Sequence, residues 1–161
     1  MKNFFLLSSL LIVFSGCLAT TPKLTPQQRR ALQVRNFEAD YNNVFKGART
    51  VLQDEGYIIK NQDFDGGMIL AQKETSASSG SVFLATMGGD NQSYVTGRSF
   101  DISFSLEKIN ENLTETRMTL QNITKTSTGG VAGKEVVDTE VYNALYNKIN
   151  VEIQRRKARG L

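Results

Sequence analysis

The cysteine and histidine contents decide which chemistry this chain can perform. Its 161 residues include a single cysteine, Cys17, and no histidine. Without histidine there is no zinc site of the usual kind, no Ser-His-Asp or Cys-His site, and the commonest general base is missing. Acidic pairs also perform acid and base chemistry, but no pair here has a recognisable catalytic spacing. We therefore expect no enzyme activity, no catalytic residues, no metal and no cofactor, and a histidine-free hydrolase is only the third hypothesis.

Two glycine-containing segments match ligand-binding loops only in part. Residues 61–66 alternate Asn, Asp and Asp before a Gly, like the start of a calcium loop. The twelfth position is Gln72 instead of glutamate, so we interpret this segment as a hairpin turn. Residues 129–135 have the glycines and lysine of a phosphate-binding loop, but Glu135 replaces Ser or Thr and would repel phosphate. We expect a flexible connection at this second segment.

The residues before Cys17 indicate export and lipid modification. Lys2 and the apolar run Phe4–Phe14 are typical of a signal peptide, and the run is too short to span a bilayer. Ser15 and Gly16 place two small residues directly before the cysteine. This arrangement resembles the lipobox of bacterial lipoproteins. The resemblance implies cleavage before Cys17, a diacylglyceryl group on its thiol, and acylation of the new amino terminus, for example by palmitate.

The same resemblance implies a location and a domain organisation. Leu18 follows the cysteine where retention in the inner membrane would favour Asp, which implies an outer-membrane lipoprotein at the periplasmic face. We predict a signal peptide over residues 1–16, a lipidated N-terminus and flexible tether over 17–31, and one α+β domain over 32–161. The alternative is an ordinary secretory signal with an unmodified cysteine near its end.

Hydrophobic periodicity divides the predicted domain into strands and helices. Strand-like alternation covers residues 32–37, 57–60, 68–73, 99–106 and 114–124. Helical spacing follows the N-cap candidates Asp40 and Asp138 or Thr139, and a Ser- and Gly-rich loop over 75–98 separates two hairpins. The order β-α-β-β-loop-β-β-α predicts an α+β fold. We expect a single antiparallel sheet of about five strands with two helices packed on one face.

This element order resembles the helix-grip domains of envelope lipoproteins, such as those in the C subunit of the outer-membrane barrel-assembly machine. The resemblance implies protein contacts and no catalysis. Tyr142 and Tyr146, one turn apart on the last helix, are either core residues or the lining of a ligand groove. We therefore expect a lipoprotein that binds another envelope protein or assembly. The alternative function is a carrier or sensor of a small apolar ligand held between the last helix and the sheet.

Two further features are candidates for contact with a partner or a membrane. The loop contains an apolar island, which is either an added edge strand or exposed surface for a protein partner. The residues of this island are Val82, Phe83, Leu84 and Met87. The last helix ends in a basic cluster, which is either a solvated helix end or a contact with anionic lipid headgroups. The residues of this cluster are Arg155, Arg156, Lys157 and Arg159. Nucleic acid is not an expected partner outside the cytoplasm.

Overall fold

The structure, a computed structural model, describes residues 24–75 and 95–160. These residues form three helices and six strands. The elements are α1 Pro26–Gln33, β1 Val34–Phe37, α2 Tyr41–Asp54, β2 Ile58–Asp63, β3 Met68–Thr75, β4 Val95–Asn110, β5 Leu113–Thr126, β6 Val131–Glu135 and α3 Thr139–Ala158. The strands make one antiparallel sheet in the order β1-β5-β4-β3-β2, and β6 pairs with β5. The predicted α+β single-sheet fold is confirmed, with six strands where about five were predicted.

The strands place their apolar side chains on one face of the sheet. In β4 the buried side chains are those of Ile102, Phe104 and Leu106, and the serines between them lie on the opposite face. The register sets Ile69 of β3 and Met118 of β5 on either side of Phe104, so the buried residues of three strands form a continuous surface. This surface is the floor of the hydrophobic core.

Both long helices pack on this apolar face, as predicted. Asp40 caps α2 by accepting a hydrogen bond from the backbone N–H of Asn43 at 3.0 Å, and Asp138 caps α3 in the same way. The helices approach closely because Gly47 has no side chain: a Cβ there would lie 3.2 Å from Cγ1 of Ile153. The helices bury Val44, Phe45, Ala48, Val51 and Leu52 from α2, and Tyr142, Leu145, Tyr146 and Ile149 from α3. None of the three described helices is both long and apolar enough to cross a bilayer.

Helix α1 corrects the predicted end of the tether. The prediction extends the tether to residue 31 and begins the first strand at Leu32, whereas α1 begins at Pro26 and the strand begins at Val34. A capping box starts this helix: the Thr25 hydroxyl accepts from the backbone N–H of Gln28, and the Gln28 side chain accepts from the backbone N–H of Thr25. Leu32 is buried in the core, which anchors the end of the helix.

The turns explain where the strands end. Between β2 and β3, the Asp63 carboxylate accepts a hydrogen bond from the backbone N–H of Gly66 at 2.9 Å, so this segment is a hairpin turn. Gly67 follows with a φ of +68°, and its carbonyl accepts from the backbone N–H of Leu106 at 2.8 Å. The predicted flexible connection at 129–135 is instead mostly strand β6, because its backbone pairs with the edge of β5.

Candidate protein-binding groove

Five of the residues singled out from the sequence lie outside the described residues. They are Cys17, the predicted site of lipidation, and the apolar island of Val82, Phe83, Leu84 and Met87. Both predictions therefore stay predictions.

The basic cluster at the end of α3 is engaged within the domain. Arg155 donates two hydrogen bonds to the carboxylate of Glu152, at 2.5 and 2.6 Å. Arg156 donates to the side-chain oxygen of Asn43 on α2 at 3.2 Å, and its guanidinium lies 3.9 Å from Glu152. Lys157 donates to a backbone carbonyl in the β1–α2 connection at 2.5 Å. Arg156 and Lys157 therefore join the end of α3 to α2 and to the segment before it, and contact of the basic cluster with lipid headgroups stays a prediction.

Glu152 is the centre of this arrangement, although the sequence analysis did not single it out. Its side chain is 9% exposed, and the hydrogen bonds from Arg155 lower the pKa of the carboxyl despite the opposing effect of burial. Arg159 lies at the C-cap of α3 and is exposed. Of the four predicted membrane-surface residues, Arg156 contacts α2, Lys157 contacts the segment before α2, and Arg155 contacts only Glu152 of the same helix among the described residues.

Tyr142 and Tyr146 are core residues. The Tyr142 hydroxyl accepts a hydrogen bond from the backbone N–H of Leu120 at 3.2 Å, and the Tyr146 hydroxyl donates to the carbonyl of Gln33. Burial raises the pKa of both phenols. The two rings fill the space between α3 and the sheet, which is where the alternative function would place an apolar ligand.

The open face of the sheet holds a small polar network that involves Ser99. The Ser99 hydroxyl donates to Asp101 at 3.0 Å, and Gln72 donates to the same carboxylate oxygen at 2.9 Å. A serine beside a carboxylate could in principle serve as a nucleophile and base. Ser99 is only 4% exposed, however, so a substrate has little access to its hydroxyl. In the two described ranges, no three Asp, Glu, His or Cys side chains group closely enough to hold a metal ion.

A groove of about 630 Å³ runs between α2 and the edge strand β2. Arg49 and Gln53, one turn apart on α2, form one wall. The other wall is β2 itself, from Ile59 through Lys60 to Gln62. In the described part of the chain β2 pairs only with β3, so its outer backbone edge faces this groove without a partner strand.

The groove is positively charged and contains an unsatisfied donor. The Arg49 Nε atom is buried, and none of the described residues provides it with a hydrogen-bond partner. A register shift between Ile59 and Asn61 marks a β-bulge at Lys60, which lines the same groove. No carboxylate is among the lining residues, and in residues 24–75 and 95–160 neither cation forms an ion pair. The site is therefore suited to a negatively charged group.

The sequence predicts the helix and the strand that form the two walls of this groove, but not the groove itself. The helix and the strand are visible from periodicity, whereas the edge position of β2 depends on the order of strands in the sheet. The polar composition of β2 after Ile59 is typical of an edge strand and is the signal that could have indicated its position.

No protein-family model matches the chain, and no curated protein is significantly similar to it. The interpretation of the groove therefore depends on its geometry and its charge.

Proposed function

We propose that the chain is a lipid-anchored protein of the outer membrane whose α+β domain binds another envelope protein and has no enzymatic activity. The proposal places the acyl groups on Cys17 and the domain at the periplasmic face. The arrangement of Lys2, the apolar run and the small residues before Cys17 supports the anchor. Two or three acyl chains are sufficient for stable attachment to a bilayer.

The free edge of β2 is the observation that carries the binding part of the proposal. An edge strand presents unpaired N–H and C=O groups, and an extended segment from another protein pairs with them as an added strand. Ile58, at the start of β2, is 61% exposed and offers an apolar contact next to this edge. A partner could therefore gain both main-chain hydrogen bonds and side-chain burial here.

The position of the domain relative to the membrane limits where the partner lies. Residues 17–23 precede the first described residue, Leu24, which packs against the core. Seven residues span at most about 25 Å when fully extended. The proposal therefore requires a partner that comes close to the periplasmic surface of the outer membrane.

The anchor is tested with Cys17→Ala. We expect the wild-type chain to incorporate labelled palmitate and to fractionate with outer membranes. The variant should do neither. Equal labelling of the wild-type chain and the variant, or release of the wild-type chain into the soluble periplasmic fraction, would contradict the anchor.

The binding function is tested by photo-crosslinking in intact cells. A benzophenone amino acid is introduced singly at Gln62 in β2, at Thr119 on the open face of the sheet, and at Phe83 in the apolar island. We expect at least one position to form an adduct with an envelope protein, identified by mass spectrometry. Adducts with lipid alone would favour the carrier hypothesis, and absence of protein adducts at all three positions would refute the binding function.

A further inference from the structure

We propose that the groove between α2 and β2 binds an acidic, extended segment of the partner protein, which adds to β2 as a further strand. This inference rests on the proposed function, because it assigns the chemistry of the partner and the surface that it occupies. We favour a protein segment over an anionic lipid as the ligand, because the groove combines positive charges with a free strand edge.

The charges of the groove favour an acidic ligand. Arg49 and Lys60 line one groove. Within residues 24–75 and 95–160, no carboxylate lines it with them and no acceptor is bonded to the Arg49 Nε atom. A buried donor without an acceptor is unfavourable, since it has lost its hydrogen bonds to water. A carboxylate seated beside the guanidinium supplies that acceptor, and the planar fork of arginine suits two parallel hydrogen bonds to it.

The backbone of β2 determines which side chains of an added strand face the groove. A segment that pairs with β2 points every second side chain toward the face of the sheet on which α2 lies. The cations Arg49 and Lys60 both line the groove on that side, so the segment needs acidic residues at alternate positions. The other alternate positions face the open side of the sheet, where Ile58 is exposed. The expected segment therefore alternates acidic with apolar or small residues.

The chain itself has few carboxylates that could occupy the groove. Outside the described residues the chain has one acidic side chain, that of Asp90. A row of alternating acidic residues is therefore absent from residues 1–23 and 76–94 of the chain itself. A separate protein supplies the segment that the groove requires.

The test uses the full-length chain in cells, with the benzophenone amino acid at Gln62. We expect the crosslinked peptide of the partner to contain at least two Asp or Glu residues at alternate positions. The double variant Arg49→Gln, Lys60→Gln should reduce the yield of this adduct by roughly tenfold or more, because it removes both cations from the groove. Lys60→Gln alone, at an exposed position, should give a smaller loss in the same direction.

The control is the double variant Arg98→Gln, Lys125→Gln. It removes the same number of positive charges from a different depression, near the start of β4 and the end of β5. The yield of the adduct should therefore stay unchanged. An equal loss in the control would show that only net charge matters, which would overturn the inference. Thermal unfolding of each variant separates loss of binding from loss of folding.

Other outcomes overturn the inference in distinguishable ways. A neutral or basic crosslinked segment refutes the proposed chemistry and leaves the proposed function intact. The same holds if Gln62 forms no protein adduct while Thr119 or Phe83 crosslinks an envelope protein. A lipid adduct from Gln62 refutes the strand-addition model, and absence of protein adducts at all three positions refutes both proposals.

A measurement on purified components completes the test. The crosslinked segment is synthesised with its acidic residues and, separately, with the corresponding amides, and each peptide is titrated into the detergent-solubilised lipoprotein. The acidic peptide should bind roughly tenfold or more tightly than the amide peptide and should protect the backbone amides of β2 from hydrogen exchange. Equal affinities, or protection confined to another strand, would overturn the inference.

Discussion

Replacing Glu152 by Gln should destabilise the domain by removing the buried charge beside which Arg155 and Arg156 lie at the end of α3. The glutamine has nearly the same size, so the effect reports on charge and hydrogen bonding. Arg155 donates to both carboxylate oxygens, and Arg156 lies 3.9 Å from one of them while also contacting Asn43. The variant leaves these guanidinium groups beside a neutral amide.

The magnitude follows from the exposure of the groups involved. Breaking a fully buried ion pair costs about 3–5 kcal/mol. Glu152 is 9% exposed, but Arg155 is 45% exposed, and solvent screens the more exposed partner. We therefore expect the free energy of unfolding to fall by about 2 kcal/mol, which corresponds to a decrease in Tm of roughly 5–10 °C.

The assay is urea unfolding of residues 24–161 followed by circular dichroism at several pH values. The pKa of Glu152 is lower in the folded than in the unfolded state. Its contribution to the free energy of unfolding is therefore complete at pH values well above the ordinary pKa of a carboxyl group, and it declines as pH falls through the folded-state pKa. The difference in the free energy of unfolding between the variant and the wild-type domain should thus be largest near neutral pH and should become smaller below about pH 4.

Glu111→Gln provides the matched control. Lys108 and Glu111 are also three residues apart and 2.7 Å from each other, but Glu111 is 86% exposed. This variant should change the free energy of unfolding by no more than about 0.5 kcal/mol. If Glu152→Gln behaves like the control, or if its effect is independent of pH, then the charge of Glu152 does not stabilise the end of α3 and our reasoning about the basic cluster is wrong.

Two further variants test the turn and the core. Gly67→Ala should destabilise the domain by about 2 kcal/mol or more, because Gly67 has a positive φ and a Cβ there would lie 2.3 Å from the Leu106 carbonyl oxygen. Gly97→Ala, whose Cβ would have no atom of the described residues within 4 Å, serves as the comparison in the same urea titration, and equal effects would contradict the steric argument. Tyr142→Phe should cost about 1–2 kcal/mol, because it leaves the buried N–H of Leu120 without its acceptor, and unchanged hydrogen exchange at Leu120 would refute this.

The sequence was sufficient to predict the elements that carry an amphipathic pattern. Helices α2 and α3 and the central strands each present apolar residues at a clear period, and burial against one another follows from that period. Helix α1 was missed because its eight residues are mostly polar and its start depends on a capping box at Thr25. Strand β6 was missed because its side chains are largely exposed and only its backbone pairs with β5.

The two sets of cations show why charge in a sequence is a poor guide to a binding surface without the fold. Arg155, Arg156 and Lys157 are conspicuous because they are adjacent, yet each one bonds to a group that the fold brings from elsewhere in the domain or from the preceding turn. Arg49 and Lys60 attract no attention in the sequence, since they belong to different elements. Because the helix and the edge strand meet without contributing a carboxylate, these two charges remain available to a ligand. A charge is informative about binding only after the charges that the chain neutralises by its own contacts have been identified.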